Sequence, residues 1–265
     1  GLDLPILEQL GRYMLKLFSL DLGFSYRNNM SVLDLILSRL PATLLLMITA
    51  VSLAFGLGTV FGALAARCVN SFADTLISIT SMLFYAMPTF LVGLLMILLF
   101  SVTLRWLPLA GMVTAGAEFS GWEHIRDVLT HLVMPATALS LFYVAIYTRL
   151  MRASMLEILG LDYIRTARAK GLSWRRVLYR HAVRNSMLPM VTMCGLQISS
   201  LFGGAIVVET IFGWPGMGLL AFNAVFQRDF VLLLGILFFS SLVVLVVSLV
   251  VDLLYMRLDP RIRIA

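Results

Sequence analysis

The chain has 265 residues, of which 60% are hydrophobic and 13% charged, with a formal net charge of +6. Its mean hydropathy is +0.97. Soluble chains carry about a quarter charged residues, so this composition excludes an ordinary soluble globular protein. The positive charge does not point to nucleic acid, because it sits in loops between apolar runs, where the positive-inside bias accounts for it. Cys68 and Cys194 form no spacing pattern for a disulfide framework, a metal site or a redox motif. They read as small buried hydrophobes.

Residues 1–39 come first, and Leu7–Phe18 has helical apolar spacing at Leu7, Leu10, Met14 and Leu17. That pattern predicts a short surface helix. Asp21-Leu-Gly23 predicts a turn. Five apolar segments then reach the roughly 20 residues that a membrane span needs. They are about Leu40–Ala66, Thr75–Val102, Val128–Leu150, Met187–Val208 and Phe230–Tyr255. The third is the weakest, with Pro135 near its start and several polar residues after it.

Lys and Arg assign the sides. Loops 67–74, 149–184 and 257–265 carry one, nine and three of them, against four, two and one in 1–39, 103–127 and 209–229. The first set is therefore cytoplasmic, with the C-terminus. Trp106, Trp122 and Trp214 fall in outer loops and Trp174 in an inner one, as interface-seeking rings should. Five spans with an inside C-terminus put residue 1, a Gly, outside. A lost first span is expected, with six spans originally; a cleaved signal peptide is the alternative. Residues 1–39 are then an extracytoplasmic segment, and residues 40–265 a transmembrane domain with a cytoplasmic loop at 151–186.

Within the spans, Gly58 and Gly62 make a small-xxx-small pair that lets another helix approach closely. Pro88, Pro135 and Pro189 are expected to kink their helices. Thr192, Gln197 and Ser200 make the fourth span the least apolar. They either line a polar path or hydrogen-bond between helices. Asp252 and Arg257 read as a local ion pair or as snorkelling side chains. Glu209 sits near the outer interface and reads as solvated. After it, Ile211-Phe-Gly-Trp-Pro-Gly-Met-Gly218 predicts a tight re-entrant or interfacial loop. Glu209, Phe212, Trp214 and Pro215 are the candidates there for an outer gate or for contact with an extracytoplasmic partner.

No phosphate-binding Gly-x-x-x-x-Gly-Lys-Ser/Thr, no His-Glu-x-x-His and no Gly-x-Ser-x-Gly occurs. His124, His131 and His181 are scattered over two sides and do not suggest a metal site. No chain of carboxylates inside the spans suggests a proton-coupled pump. Energy for uphill transport would have to come from another subunit. The contact would be the 36-residue polar stretch 149–184, which holds nine of the twenty basic residues. It is too long for a plain connector. Tyr163–Lys170 contains good helix formers, Gly171 ends them, and a second helix is expected over about Trp174–Arg184. A protruding helix of this kind can seat in a groove of a partner.

Here the chain resembles the inner-membrane permease subunits of bacterial ATP-binding-cassette (ABC) importers of the dipeptide/oligopeptide/nickel type. The resemblance lies in Gly1-Leu-Asp-Leu-Pro5, Asp21-Leu-Gly23, Leu40-Pro-Ala-Thr43, Met87-Pro88, Leu150-Met-Arg-Ala-Ser-Met155, residues 162–171, Glu209-Thr-Ile-Phe-Gly-Trp-Pro-Gly216 and Leu258-Asp-Pro-Arg261. The family's Glu-Ala-Ala triplet with a downstream Gly reads here as Arg165-Thr166-Ala167 and Gly171. The Glu is replaced, so a coupling role carries over without a Glu-dependent contact. The resemblance implies an all-α polytopic bundle with the type I ABC importer permease fold, with one more span at its start. It implies that Asp162, Tyr163, Ile164, Arg165, Thr166, Ala167, Arg168, Ala169, Lys170, Gly171 and Leu172 couple to an ATPase subunit. It implies a second homologous permease, two ATPase subunits and an extracytoplasmic solute-binding protein, in the bacterial inner membrane. ATP and Mg would belong to the partner subunits, with no cofactor and no catalytic residue on this chain. Di- or oligopeptides are the expected cargo, with nickel chelates, glutathione-like peptides or opines as alternatives. A stand-alone channel or secondary carrier would instead predict inverted repeats or charged midplane sites. A membrane enzyme would need a catalytic constellation.

Overall fold

The computed structural model describes residues 5–258, apart from the side chains of residues 13, 18, 196, 198–204, 251, 252 and 254–258. Helix α1 (Ile6–Phe18) is followed by a two-residue hairpin, β1 (Phe24–Ser25) against β2 (Met30–Ser31), with Phe24 opposite Ser31. Then come α2 (Val32–Arg67), α3 (Phe72–Ala86), α4 (Thr89–Met96), α5 (Trp122–Leu159) and α6 (Asp162–Ala169). The chain ends in α7 (Trp174–Arg176), α8 (Arg184–Phe212), α9 (Met217–Phe226) and α10 (Phe230–Leu258). Wider π turns continue α4 over Ile97–Thr103 and join α7 to α8 over Val177–Val183.

Among the described residues, three helices are long and apolar enough to cross a membrane alone: α2, α5 and α10, the last over Phe230–Val250. The number is five if each of two bent pairs counts as one span. One pair is α3 with α4 and its π extension, bent by 104°. The other is the end of α8, Ala205–Phe212, with α9, bent by 79°. The second expected span is therefore broken where a single helix was expected. Met87 before Pro88 is held extended, at φ −78° and ψ 129°, because proline's ring disfavours the helical region for the residue preceding it. Pro41, Pro135 and Pro189 instead lie inside continuous helices. The first expected span belongs to a helix that begins earlier, at Val32.

Of the three helices that qualify alone, the least hydropathic is α5. It has a mean hydropathy of 1.7 and 61% of its window buried, against 3.0 and 17% for α10. A helix facing lipid on most sides needs apolar residues all round, whereas one enclosed by other helices can carry polar groups that find partners. α2 lies along α5 with a stripe of small residues: Ala42, Ala50, Ala54, Gly58, Gly62 and Ala65 are all buried. The expected role of the glycine pair as a packing seam holds. A Cβ on Gly62 would lie 2.6 Å from both Met151 Cβ and the Thr148 carbonyl oxygen. One on Gly58 would overlap Tyr147 Cβ.

Two smaller contacts tie connecting segments to the long helices. Asp229 caps α10 by accepting from the Leu232 N–H at 3.2 Å, and it also accepts a short hydrogen bond from the Ser25 hydroxyl. That ties the hairpin to α10. At the start of α5, Asp127 accepts from both the Thr114 N–H and hydroxyl at 2.7 Å, fastening the 104–121 loop.

The seam predicts opposite signs for two glycines on one helix. Gly62→Ala lowers stability by about 1–3 kcal/mol through overpacking. Gly56→Ala, where a Cβ meets nothing within 4 Å, raises it by up to about 1 kcal/mol through helix propensity. Thermal unfolding of the purified protein in one detergent reads both.

Candidate functional site

The polar stretch that stood out in the sequence folds into a platform. Its first part is not loop: residues 149–159 are the last three turns of α5. α6 follows after Gly160 and Leu161, and its end is a Schellman motif. The Leu172 N–H donates to the Ala167 carbonyl at 3.3 Å and the Gly171 N–H to the Arg168 carbonyl at 2.9 Å. Gly171 sits at φ +80°, a conformation that costs glycine nothing. The second helix expected over 174–184 is not separate, because α7, the π turn and α8 run on without a break. α6 is therefore a short cross-piece between two long helices.

One face of α6 is held down and the other is open. Ile164 and Ala167 are buried with Val177 beneath them, packed against Ile158, Leu159 and Leu172. Tyr163 accepts a hydrogen bond from the Asn185 side-chain amide at 2.9 Å and meets His181 edge-on. Arg168 lies 4.7 Å from the Trp174 ring centroid, a cation–π contact. Asp162, Arg165, Thr166, Ala169 and Lys170 are exposed. Arg165 and Asp162 make only a solvated 3.5 Å pair, which adds little stability. The result is a helix seated on apolar contacts that presents a basic, polar surface.

α5 is fastened to α3 just before this platform. Arg152 donates from Nε and Nη2 to the two carboxylate oxygens of Asp74 at 2.7 and 2.8 Å. Asp74 also accepts from the Asn70 N–H at 3.0 Å, while its own N–H is capped by Ser71. The Asp74 side chain is 6% exposed. Such a bidentate, doubly supported pair fixes geometry as well as charge. Ser71-x-x-Asp74 is a readable capping signature, and Arg152 lies in Leu150-Met-Arg-Ala-Ser-Met155. The pairing itself is not legible in the sequence, because partners 78 positions apart leave no local signal.

A second polar clasp lies at the other end. Glu209 is fully buried, which corrects its reading as a solvated interfacial group. It accepts from the Thr43 hydroxyl at 2.7 Å and from the Leu219 N–H at 3.0 Å. The same Thr43 oxygen accepts from the Met217 N–H at 2.7 Å. The carboxylate thus sits at the N-terminus of α9, where unpaired N–H groups and the helix dipole favour an anion. A Cβ on Gly216 would overlap the carboxylate, and one on Gly218 would lie 2.6 Å from Ile206 Cα. Trp214 is wholly buried and donates its indole N–H to the Ala42 carbonyl at 2.8 Å. It is not an interface-seeking ring. Glu209, Phe212 and Trp214 offer no surface to a partner, and Pro215 is half-buried. Gly213, at φ +58°, lets α8 end in another Schellman turn.

Of the expected path residues, Thr192 and Gln197 have described side chains. Thr192 is exposed and its hydroxyl donates to the Leu188 carbonyl of its own helix at 3.0 Å. Gln197 is half-buried. The side chains of Ser200, Asp252 and Arg257 lie outside the described residues, as do Gly1–Leu4 and residues 259–265.

Residues 58–264 match the model of the binding-protein-dependent transport system inner membrane component. The chain belongs to that family. It is 42% identical over 265 residues to a putative peptide permease protein of Brucella ovis, covering 100% of this chain and 82% of that one. It is 41% identical over 264 residues to the oligopeptide transport system permease protein AppB of Bacillus subtilis, covering 99% and 82%. It is 39% identical over 278 residues to the di/tripeptide transport system permease protein DppB of Pseudomonas aeruginosa, covering 99% and 82%. The fold is similar to that of the methionine ABC transporter MetNI in an inward-facing conformation, with a TM-score of 0.69, 14% identity and coverage of 86% and 97%. An amino acid ABC transporter with histidines gives 0.61, 18%, 84% and 94%. The permease is thus an all-α, multi-pass inner-membrane protein with the type I ABC importer permease fold.

In this permease the Glu209 clasp carries a clear expectation. Glu209→Ala strands the Thr43 hydroxyl and the Leu219 N–H and costs on the order of 3 kcal/mol. Glu209→Gln keeps one acceptor and falls between. Thermal unfolding in detergent orders the three proteins.

Proposed function

We propose that this chain is one of two homologous permease subunits of an ATP-driven importer of di- and oligopeptides. Two ATPase subunits, which bind ATP and Mg, engage the cytoplasmic platform, and an extracytoplasmic solute-binding protein delivers cargo. The chain itself does no catalysis. The observation that carries the reading is α6: a short helix seated on Ile164, Ala167 and Val177, with its basic side uncovered. Peptide cargo is supported by the peptide permeases among its relatives, at about 40% identity over nearly the whole chain.

The mechanism follows from the connections. ATP closes the ATPase pair and moves the groove in which α6 sits. α6 cannot move alone, because it joins α5 through two residues and its buried face packs on the start of the α7–α8 run. α5 is clamped to α2 by the glycine seam and to α3 by Arg152–Asp74. Displacement at the platform therefore tilts packed helices as bodies between inward- and outward-open states. Thr192, Gln197 and Ser200 line part of the path. At the outer mouth the α8–α9 elbow, held by Glu209 and Thr43, moves as one gating unit with Phe212, Trp214 and Pro215. In this arrangement the C-terminus is cytoplasmic, residues 1–39 are extracytoplasmic, and residues 40–265 form the transmembrane domain with coupling loop 151–186.

Purification from native membranes in mild detergent, followed by mass spectrometry, tests the assembly. Recovery of a second permease and two ATPase subunits is expected. Recovery of the chain alone, or as a homo-oligomer insensitive to ATP, overturns the proposal. Two substitutions test the platform within the complex. Ala167→Asp buries an unpaired charge under α6. Gly171→Pro removes the N–H bonded to Arg168 and demands φ near −65° where the chain has +80°. Both should lower ATP-driven uptake at least about tenfold, the effect of losing roughly 1.4 kcal/mol of docking, and release the ATPase subunits on purification. Normal ATPase association in both variants contradicts the assignment of α6.

A further inference from the structure

The mechanism above leaves Arg149 unused, and its placement is unusual. It lies on α5 inside the apolar run 128–150, yet it is exposed on the surface of this subunit. α3 and α5 run antiparallel, so the Asp74–Arg152 pair marks their inner end. Eleven residues further along α3, about 16 Å of helix, the Tyr85 ring stacks on Phe142 with centroids 5.2 Å apart and planes 14° apart. The Arg149 guanidinium lies over that same Tyr85 ring, 4.2 Å from its centroid. It therefore reaches outward along α5, towards Phe142, and away from the inner headgroups. A snorkelling arginine would point the other way.

Among the described residues no carboxylate lies within 4 Å of Arg149, and Asp74 on the neighbouring helix is already filled by Arg152 and the Asn70 amide. Arg149 stands one helical turn from Arg152, at the inner end of that apolar run; an arginine inside a span is costly against lipid and normally faces a wet cavity or a partner group. Stacking occupies only the face of the guanidinium, so its edge keeps the paired N–H donors that bind a carboxylate through two parallel hydrogen bonds. One residue along on each helix, Phe84 and Leu141 line a largely apolar cavity of about 470 Å³ with Met87, Leu95, Leu107 and Thr137.

We propose that Arg149, held by Tyr85 and Phe142, is a subsite on the translocation path for the carboxylate of the transported solute, the C-terminal carboxylate of a peptide. The adjacent apolar cavity receives side chains, whose chemistry it does not discriminate. The inference rests on the peptide-import reading and names the group by which this permease, as distinct from its binding protein, recognises cargo. A phosphate of a lipid headgroup offers similar anionic chemistry, and the test separates the two.

The experiment uses the complete transporter in vesicles, with binding protein loaded to saturation. The probes are a library of two- to five-residue peptides with free C-termini and the same library as C-terminal amides. Uptake by Arg149→Gln is expressed as a ratio to wild type for each library, so selection by the binding protein cancels. The expected result is a fall of about 10- to 100-fold for the free acids, as for loss of a charged hydrogen bond, with the amides changed less than about twofold. Arg149→Lys keeps the charge without the fork and falls between. Tyr85→Leu, which leaves the charge but frees the side chain, also lowers the acid-to-amide ratio. An equal fall for acids and amides, or a fall that follows the anionic lipid content of the vesicles, assigns Arg149 to packing or to a headgroup and overturns the proposal. No fall overturns it as well. A wild-type transporter that carries neither library refutes the peptide reading, and this inference goes with it.

Discussion

The approach of α2 to α5 at Gly58 and Gly62 is the contact on which the other positions depend. A membrane offers no hydrophobic drive to bring two apolar helices together, so the gain comes from van der Waals contact at short range. At these two glycines the backbone of α2 reaches the backbone and Cβ atoms of Tyr147, Thr148 and Met151, leaving no room for a methyl group. That contact fixes α5 over the turns from Val144 to Arg152. α5 in turn carries Arg149, Arg152 and the cross-piece α6. A shift of one helix here would move α6 relative to the span that is broken at Pro88.

Polar clasps do the rest, and both obey one rule. In the absence of water, every buried polar group must be satisfied by the protein. Asp74 meets Arg152 and two groups of its own helix start. Glu209 meets Thr43 and the start of α9 at the elbow. In each case one carboxylate joins the first turn of a helix to a residue on another helix. Such joints are stiff, because releasing either partner strands a buried group. They join neighbouring helices into stiffer units, which the proposed transfer of work from α6 to the spans requires.

The sequence already shows the spans, the seam and the platform, because each is written in local pattern: apolar length, glycine spacing, and helix formers ending at Gly171. What local pattern hides is pairing across helices. Glu209 reads as interfacial because it ends an apolar run, while Thr43, the group that buries it, lies 166 residues away. Trp214 looks like a headgroup anchor until Ala42 supplies its carbonyl. The 104° break at Pro88 exceeds an ordinary proline kink, since hydropathy counts residues and is blind to direction. Polar residues that weaken the third span in a hydropathy reading are there because α5 is enclosed by protein rather than by lipid.

The central claim is that α6 is where ATPase work enters the bundle. A single cysteine at position 165, with Cys68 and Cys194 replaced by serine, places a thiol on the exposed side of α6. A short bifunctional reagent then reports what touches it in the intact transporter. Crosslinking to an ATPase subunit, with a yield that changes when ATP is added, is the result this account predicts. An intact, transporting complex in which position 165 crosslinks to no ATPase subunit would contradict it.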